Sequence, residues 1–412
     1  MITINVAMEN GFLTADEAAA RLNVKRATVY AYVSRGMLKR QSLDGMPGSY
    51  FDAMEVERLA DRGRKSLKTG RPSPAFKSAI TTFGNGDIYY RGHRACRLAE
   101  TERFESVAHL LWQDALRRDA VFNADPTVAG LLRQVGDLLP EGILPFERAK
   151  ALVPVAATLD PMRHDLSTIA AVRRVSTLMA TLIDALPAQS APAAGAHFDF
   201  AARMWSRLAA GPPAPSLLAV LNAALVLTAD ADVTSPTTLA ARMGASVRAD
   251  IYSAITAGMH CSGGAIQSAS SLAVESYLET LDGQRSIGEV VGERLRQGDG
   301  LPGFGHGRFP DGDPRARLIL DMLARSDGDP SRVARLGEFL EIQRNRGIAP
   351  PNIGFAIAAL AYVAGMVRGS GDLIFAMART AGWAAHAIEQ YNSDQEMRRP
   401  PSLYIGRPPA TD

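Results

Sequence analysis

The most informative candidate site is a histidine among glycines with an arginine downstream. His306 lies between Gly305 and Gly307, and Arg315 follows nine residues later at a predicted helix start. Glycine lets the backbone approach a ligand closely, and a guanidinium can bind a carboxylate through two parallel hydrogen bonds. This spacing predicts a binding site for a small carboxylate.

Two further segments, His260–Ala265 and Ala349–Phe355, interrupt the predicted helices with residues that packing does not require. Both are expected to be loops. Cys261 in the first segment is either a nucleophile or a small packed apolar residue, and the second use is the commoner one for a lone cysteine. The cysteines and histidines lack metal-ligand spacing, so neither a metal site nor a disulfide framework is expected.

Helices must position these segments. The body of the chain begins with a predicted hairpin at residues 81–90, and nearly everything after it has helical periodicity between Gly and Pro breaks. No glycine-rich phosphate loop follows a strand, which disfavours a doubly wound nucleotide fold. The expected fold class is mainly α. Helices are predicted over residues 104–116, 127–139, 166–186, 200–209, 217–228, 237–258, 266–282, 286–297, 314–325, 330–344, 354–367 and 371–390.

A small domain precedes this body. Thr14 and Glu17 have the spacing of a capping box, so a helix is expected to begin there, and a tight turn at Asn23–Lys25 separates it from a second helix at about residues 26–35. Residues 39–51 are expected to form two strands around a glycine-rich turn, before a closing helix. This pattern is typical of a winged helix-turn-helix that binds DNA. The candidate DNA contacts are Lys25, Arg26, Thr28, Tyr30, Arg35, Lys39 and Arg40.

Charge separates the small domain from the body. Residues 1–75 have a net charge of +4 and the remaining residues −2, although the whole chain of 412 residues carries only +2. Residues 63–76 are basic and rich in Gly and Pro, which is typical of a linker. We therefore expect a head at residues 1–62, this linker, and a body at residues 77–412. A basic face that contacts protein is the alternative to DNA binding.

The overall composition excludes several classes of protein. Apolar residues make up 47% of the chain, charged residues 21% and aromatic residues 7%, which disfavours disordered, collagen-like and coiled-coil proteins. The longest apolar run, residues 354–367, is shorter than the roughly 20 residues that span a bilayer. Because the sequence also lacks a secretory signal pattern, we expect a cytoplasmic protein without a membrane partner.

Both parts resemble known families. The head resembles the winged helix-turn-helix of the mercury-regulator and excisionase type over residues 12–38. The body resembles citrate synthase: Gly303-Phe-Gly-His306, followed by Asp313-Pro-Arg315, is similar to that family's signature loop. Residues 90–112 and 379–400 are similar to its beginning and its end. A helix-turn-helix head before such a body also resembles a known subgroup of citrate synthases.

The resemblance implies an all-α homodimer with a large and a small domain. The small domain, at about residues 265–360, would close over oxaloacetate and acetyl-CoA. No tightly bound cofactor is implied, and acetyl-CoA or another acyl-CoA would be a substrate or ligand. His306 matches the histidine that polarises the oxaloacetate carbonyl, and Arg315 and Arg399 match arginines that bind its carboxylates.

The match to the family is incomplete. Ser262 stands where the family has the histidine that stabilises the enol, Gly354 where it has the aspartate that removes a proton, and Ala231 where it has a substrate-binding histidine. A general base contributes about 10²–10⁴-fold to a rate and an oxyanion donor about 10²–10³-fold, so most citrate synthesis is expected to be lost. His260 is the candidate substitute for the missing enol-stabilising histidine.

Three functions remain open from the sequence. The first is a ligand-responsive DNA-binding regulator that closes on an acyl-CoA or a di- or tricarboxylate without condensing them. The second is an active acyltransferase of the citrate synthase type, using acetyl-CoA and oxaloacetate or a related Claisen pair. The third is a non-catalytic subunit in a heterodimer with an intact citrate synthase paralogue. The losses at Ser262 and Gly354 favour the first and third, and the retained His306, Arg315 and Arg399 favour the second.

Overall fold

The computed structural model divides the chain into two compact units, residues 1–75 and 76–412. The described residues are 12–22, 24–42, 48–52, 55–56, 59, 76–191, 199–264, 271–283, 286–296 and 301–393.

The first unit combines a two-stranded sheet with two helices. Strand β1 (Phe12–Thr14) pairs antiparallel with β2 (Tyr50–Asp52), and α1 (Ala15–Leu22) and α2 (Arg26–Ser34) follow β1 in the chain. The fully buried Val29 belongs to the apolar core of this unit. The two short helices and the strand thus enclose a small core of their own.

The predicted capping box is confirmed. The Glu17 carboxylate accepts the Thr14 N–H at 2.8 Å, and the Thr14 hydroxyl accepts the Glu17 N–H at 3.3 Å. These two bonds satisfy amide donors at the start of a helix that would otherwise lack partners. Helix α1 therefore begins directly after Thr14.

The predicted wing differs in its pairing. Gln41 and Tyr50 form only an isolated bridge, and β2 pairs along its length with β1, a partner that the sequence did not indicate. Burial explains the choice, because Phe51 is fully buried in the core of the unit whereas Lys39 and Arg40 are exposed. The predicted turn at residues 43–47, most of the closing helix and nearly all of the linker lie outside the described residues.

The second unit begins with a three-stranded antiparallel sheet. Its strands are β3 (Thr81–Gly84), β4 (Asp87–Tyr90) and β5 (His93–Arg94), in the order β3-β4-β5, with Thr81 opposite Tyr90. The predicted hairpin is thereby confirmed, and the short β5 extends it. Tyr90 is fully buried, so the sheet packs against the helices with one face.

Helices form most of the described remainder of this unit. They are α3 (Ala95–Thr101), α4 (Phe104–Gln113), α5 (Pro126–Gly136), α6 (Pro145–Thr158), α7 (Thr168–Ala185), α8 (Phe200–Leu208), α9 (Pro215–Thr228), α10 (Pro236–Ser246), α11 (Ile251–Ser262), α12 (Ser271–Glu279), α13 (Ile287–Arg296), α14 (Pro314–Leu323), α15 (Pro330–Asn345), α16 (Ile353–Val363) and α17 (Ser370–Tyr391).

The helix prediction was wrong at four places. The helix expected at residues 237–258 is two helices, α10 and α11, separated where Arg248 adopts a φ of +58°. Helices α3 and α6 were not predicted, and Pro154 within α6 interrupts the sequence pattern that would reveal it. The segment at residues 260–262, expected as a loop, is the last turn of α11.

Helices α16 and α17 form the centre of the unit. Every residue of α16 is buried, and α17 contacts α4, α6, α7, α9, α10, α11, α12 and α16. Trp383 of α17 is fully buried. A Cβ at Gly258 of α11 would lie 2.7 Å from the Trp383 ring, so glycine is required for the two helices to pack. These two rigid helices carry several of the site residues.

Candidate functional site

The loop at Gly303–His306 is fixed against the start of α16. Gly303 has a φ of +83°, and a Cβ built there would lie 2.8 Å from Phe355 Cβ and 2.9 Å from Val274 Cγ2. Both the dihedral angle and the close contact require glycine. The neighbours that Gly303 approaches are side chains and backbone of the chain itself, whereas the sequence led us to expect a ligand beside the glycines of this loop.

Hydrogen bonds join this loop to the residues before α16. The Gly305 N–H donates to the Pro350 carbonyl at 2.8 Å, and the Asn352 N–H donates to the Gly303 carbonyl at 2.8 Å. The Asn352 amide group also donates to the Gly305 carbonyl at 3.0 Å, while its oxygen accepts the Gly354 N–H at 3.0 Å. Asn352 therefore caps α16 and holds the loop at the same time.

Asp313 and Arg315 form a buried ion pair beside this loop. Arg315 Nε and Nη2 each donate to the Asp313 carboxylate at 2.9 Å, and Asp313 Oδ2 also accepts the Ile353 N–H at 3.0 Å. Burial acts to raise the pKa of Asp313, but the Arg315 charge and its hydrogen bonds hold that pKa below the ordinary value. The two-bond carboxylate contact expected of Arg315 is thus made with Asp313.

His306 presents an N–H donor next to Arg315. Its Nδ1 faces the Arg308 backbone N–H at 3.2 Å and must accept that bond, so the proton of a neutral ring is on Nε2. Burial, with the nearby Arg315 charge, lowers the pKa of His306 and favours the neutral ring. Arg315 Nη2 lies 3.4 Å from His306 Nε2. Because both groups are donors, one ligand oxygen in front of them could accept from both.

Arg379 of α17 is a further candidate site residue, to which the sequence analysis assigned no role. It is 4% exposed, its Nε donates to the Thr228 carbonyl at 3.0 Å, and its guanidinium packs 4.7 Å from the Phe375 ring centre. Burial lowers its pKa, with the Asp230 carboxylate and the Arg315 charge acting in opposite directions. Among the described residues it forms no ion pair within 4.0 Å. The sequence could have indicated this residue, because an arginine within an otherwise apolar helix is unusual.

A buried polar pair supports the strand-helix junction next to Arg379. His386 Nε2 lies 3.1 Å from Asp230 Oδ2, which also accepts the Thr81 hydroxyl at 2.5 Å. His386 is fully buried in this unit. The Asp230 pairing was not anticipated, because the two residues are far apart in the chain. The pair fixes the backbone beside Ala231.

Arg308 connects the His306 loop to two other segments. It forms an ion pair with Asp232, donates to the Thr234 hydroxyl at 3.3 Å, and lies 4.5 Å from the centre of the Phe83 ring. Phe83 in turn contacts Phe309, with ring centres 5.8 Å apart. The hairpin, the segment after α9 and the His306 loop therefore meet at one place.

The predicted site residues at 260–262 lie at the end of α11. In the described part of the chain, none of the contacts found for them reaches the His306 loop. Ser262 donates to the Met259 carbonyl at 2.8 Å, and the exposed His260 ring lies 2.9 Å from the Thr256 carbonyl. Both contacts are within α11 and none reaches His306. Cys261 is a free, half-buried cysteine on the same turn. Residues 265–270, which follow this turn, are outside the described residues.

Gly354 lies in the first turn of α16, directly after the residue bonded to Asp313. It brings no side chain to this turn. Arg399 is outside the described residues. Within the described ranges no cluster of three His, Cys, Asp or Glu side chains could hold a metal ion, and no helix is long and apolar enough to cross a membrane.

Comparisons with known proteins identify the family of the chain. The family described as citrate synthase, C-terminal domain, matches residues 70–408. Citrate synthase 2 of Bacillus subtilis is 23% identical over 81% of this chain and 94% of its own length. Citrate synthase 1 of Mycobacterium tuberculosis is 26% identical over 84% of this chain and 89% of its own. A 2-methylcitrate synthase of the same species is 26% identical over 77% and 84%.

Solved structures show the same fold. The citrate synthase of Thermotoga maritima superposes with a TM-score of 0.63 at 24% identity, covering 84% of this chain and 97% of its own. The Thermoplasma acidophilum citrate synthase, in a ternary complex with carboxymethyl coenzyme A and oxaloacetate, gives 0.63 at 19% identity over the same shares. With the family match extending over most of its length, the chain belongs to the citrate synthase family.

Proposed function

We propose that the His306 site binds a keto-dicarboxylate, with oxaloacetate as the first candidate. His306 Nε2 and Arg315 Nη2 are two donors 3.4 Å apart that suit a keto oxygen, and the buried Arg379 suits a carboxylate. Arg399 is the second carboxylate-binding arginine of this proposal. The relative from Thermoplasma acidophilum was solved with oxaloacetate and a coenzyme A derivative. An acyl-CoA is therefore the proposed second ligand, without a tightly bound cofactor.

A condensation at this site would need a base, and Gly354, which stands where the family has its aspartate, supplies none. In a Claisen reaction the base removes a proton from the acyl methyl, the new carbanion attacks the keto carbon, and the keto oxygen takes up the charge. His306 and Arg315 suit the last step, because they aim donors at one oxygen. Gly354 at the start of α16 has no side chain that could remove the proton in the first step.

Asp313 does not replace that base. It is the carboxylate bonded to the same turn, yet Arg315 occupies both of its oxygens and keeps its pKa below the ordinary value. A carboxylate that is already neutralised is a poor proton acceptor. The absence of a side chain at Gly354 is the single observation that carries the proposal: the chain binds the substrates of its relatives and has lost most of their condensation activity.

The head extends this proposal to a ligand-responsive DNA-binding regulator. Lys25, Arg26, Arg35, Lys39 and Arg40 are exposed on and around α2. Arg26 is 3.2 Å from Asp16, a surface ion pair that phosphate can displace. Thr28 and Tyr30 on the same helix are the proposed uncharged contacts. If DNA binds here, its affinity falls steeply with salt, because neutralised phosphates release counterions.

An active enzyme is the second candidate function. The donor pair at His306 favours it, because two donors directed at a keto oxygen would stabilise the charge that this oxygen gains in a condensation, and two of the curated relatives are named as citrate synthases. The chain is proposed to assemble as a homodimer. In a heterodimer with an intact paralogue, the partner subunit would supply the catalytic base that Gly354 does not provide.

Citrate formation from acetyl-CoA and oxaloacetate separates these candidates. The wild-type protein is expected to turn over more slowly than about 1 s⁻¹, the low end of ordinary enzymes. Gly354→Asp should increase the rate, and Gly354→Asp with Ser262→His is the companion variant. Oxaloacetate binding measured by calorimetry serves as the control for an intact site. Turnover well above that rate in the wild-type protein would contradict the loss of condensation.

DNA binding needs a separate measurement. Retention of the protein on genomic fragments should fall when Lys25, Arg26 and Arg35 are changed together to Gln, and should change when oxaloacetate or acetyl-CoA is added. The exposed Arg344 of α15, changed to Gln, is the control for a general loss of positive charge. Equal retention of all three proteins would contradict the regulator proposal.

A further inference from the structure

A second cavity lies away from the His306 site. It has a volume of about 380 Å³ and is lined by residues of α6, α8, the segment after α7 and the segment that joins α16 to α17. Arg148, Arg207 and Arg368 all line it, together with the apolar Leu186 and Val367. It shares no lining residue with the contacts of His306. No function described above uses it.

The positive charge around this cavity is only partly neutralised. Arg207 Nη1 donates to the Leu186 carbonyl at 3.1 Å, and its Nε is buried without a hydrogen-bond partner in the described part of the chain. Asp184 lies 3.7 Å from Arg207, but its other oxygen is bound by Arg203. One carboxylate therefore serves two arginines, and a buried donor is left for a further acceptor.

The other two arginines are also available. Arg148 is 13% exposed and donates to the Gly136 carbonyl, with Asp137 no closer than 3.9 Å. Arg368 is exposed and has a 3.4 Å contact to the Ser276 hydroxyl. In the described part of the chain, three guanidinium groups thus line one cavity with no carboxylate closer to them than 3.7 Å. Guanidinium groups with this surplus of donors suit a phosphate, which has several oxygens and up to two charges.

We propose that this cavity is a regulatory site for a small phosphorylated metabolite. The arginines bind the phosphate, and the apolar wall at Leu186 and Val367 contacts the organic part. The volume of about 380 Å³ falls within the range of small-molecule sites. The proposal is independent of the chemistry at His306, since it uses other residues.

The position of the cavity explains how binding would reach the first site. The Val367 N–H donates to the Leu208 carbonyl at 2.8 Å, so the connecting segment already contacts the end of α8, where Arg207 lies. Glu275 holds the other side of that segment by accepting the Gly369 N–H at 2.6 Å. An anion that bridges Arg207 and Arg368 would fix the connection between α16, which begins at the His306 loop, and α17, which carries Arg379.

Calorimetry with pyrophosphate as the probe tests this site in the full chain. Saturable binding is expected, and Arg207→Gln and Arg368→Gln should each weaken it at least ten-fold, whereas the exposed Arg325→Gln should leave it unchanged. Arg368 is exposed, so its variant remains informative if Arg207→Gln does not fold. Hydrogen exchange at residues 364–369 should slow when pyrophosphate is present.

The same measurement can overturn the proposal in three ways. Pyrophosphate that does not bind, or that binds equally to the wild-type and Arg368→Gln proteins, contradicts it. Binding abolished by Arg315→Gln would place the anion in the His306 site instead. Citrate serves as the carboxylate probe: if Arg368→Gln weakens citrate binding and pyrophosphate does not bind, the phosphate assignment is wrong.

Discussion

The Asp313 carboxylate binds the Arg315 guanidinium with both oxygens, and one of those oxygens also accepts the first amide of α16. A single buried acid thus positions the arginine next to His306 and the helix turn that carries Gly354. Asp313 and Arg315 are only 2% and 4% exposed, so removing either charge leaves the other unpaired in the interior.

Asp313→Asn should therefore destabilise the body strongly. The buried Arg315 would lose its counter-charge, and we expect the free energy of unfolding to fall by about 3–5 kcal/mol. Urea denaturation followed by circular dichroism measures the change. Asp311→Asn, at an exposed position two residues away, is the matched control. A loss below about 1 kcal/mol, the level of a surface pair, would show that the ion pair is solvated.

Gly303→Ala tests the close packing of the His306 loop. The new methyl would meet Phe355 Cβ at 2.8 Å, and the φ of +83° disfavours any side chain, so a loss of about 1–3 kcal/mol is expected. Gly307→Ala in the same loop meets nothing within 4 Å and should be nearly neutral. Equal thermal midpoints for the two variants would contradict the packing described here.

Arg379→Gln should reduce oxaloacetate binding at least ten-fold, which corresponds to about 1.4 kcal/mol. The reason is that Arg379 is a buried cation with no ion-pair partner among the described residues, so a ligand carboxylate is the group that can neutralise it. Calorimetry measures the affinity, and the exposed Arg344→Gln provides the control. Unchanged affinity with a folded variant would remove Arg379 from the proposed site.

We expect the free energy of unfolding to depend on pH through the buried Glu105. Burial raises the pKa of Glu105 to about 7, although its carboxylate accepts the Phe200 N–H at 2.8 Å. The folded protein therefore keeps a proton that the unfolded chain releases, and stability is lost as the pH rises from the unfolded value toward 7.

The size of this effect follows from the pKa difference. Relative to Glu105→Gln, the wild-type protein should lose about 2–3 kcal/mol of unfolding free energy between pH 5 and pH 8. Urea midpoints at the two pH values measure it. Glu341→Gln, at an exposed position, should follow the wild type. A constant difference between wild type and Glu105→Gln across this range would show that Glu105 is ionised in the fold.

Local patterns predicted the local features well. The Thr14–Glu17 capping box and the hairpin at residues 81–90 depend on neighbours in sequence, and both are present. Arg379 and Asp230 depend on residues about 150 positions away, such as Thr228 for Arg379 and His386 for Asp230. Sequence spacing alone carries no information about such contacts, which is why these roles were missed.

The segment at residues 260–262 shows a different limit. The glycines at 263 and 264 suggested a loop, but Ile255 and Met259 continue the buried face of α11 up to that point. Helix α11 therefore continues through His260, where the loop was predicted to begin, and ends at Ser262. Ser262 was matched to the family's histidine by resemblance alone, and the structure places it as the last residue of α11.

Hydrogen bonds from Asn352 join the His306 loop to the start of α16. Eleven residues rise about 16 Å along a helix axis, which separates the His306 loop at one end from the Val367–Gly369 segment at the other. Because all of α16 is buried and one cap joins it to the loop, the helix cannot shift without carrying His306 along. It therefore connects the two proposed binding sites, because one end adjoins the His306 loop and the other leads into the Val367–Gly369 segment.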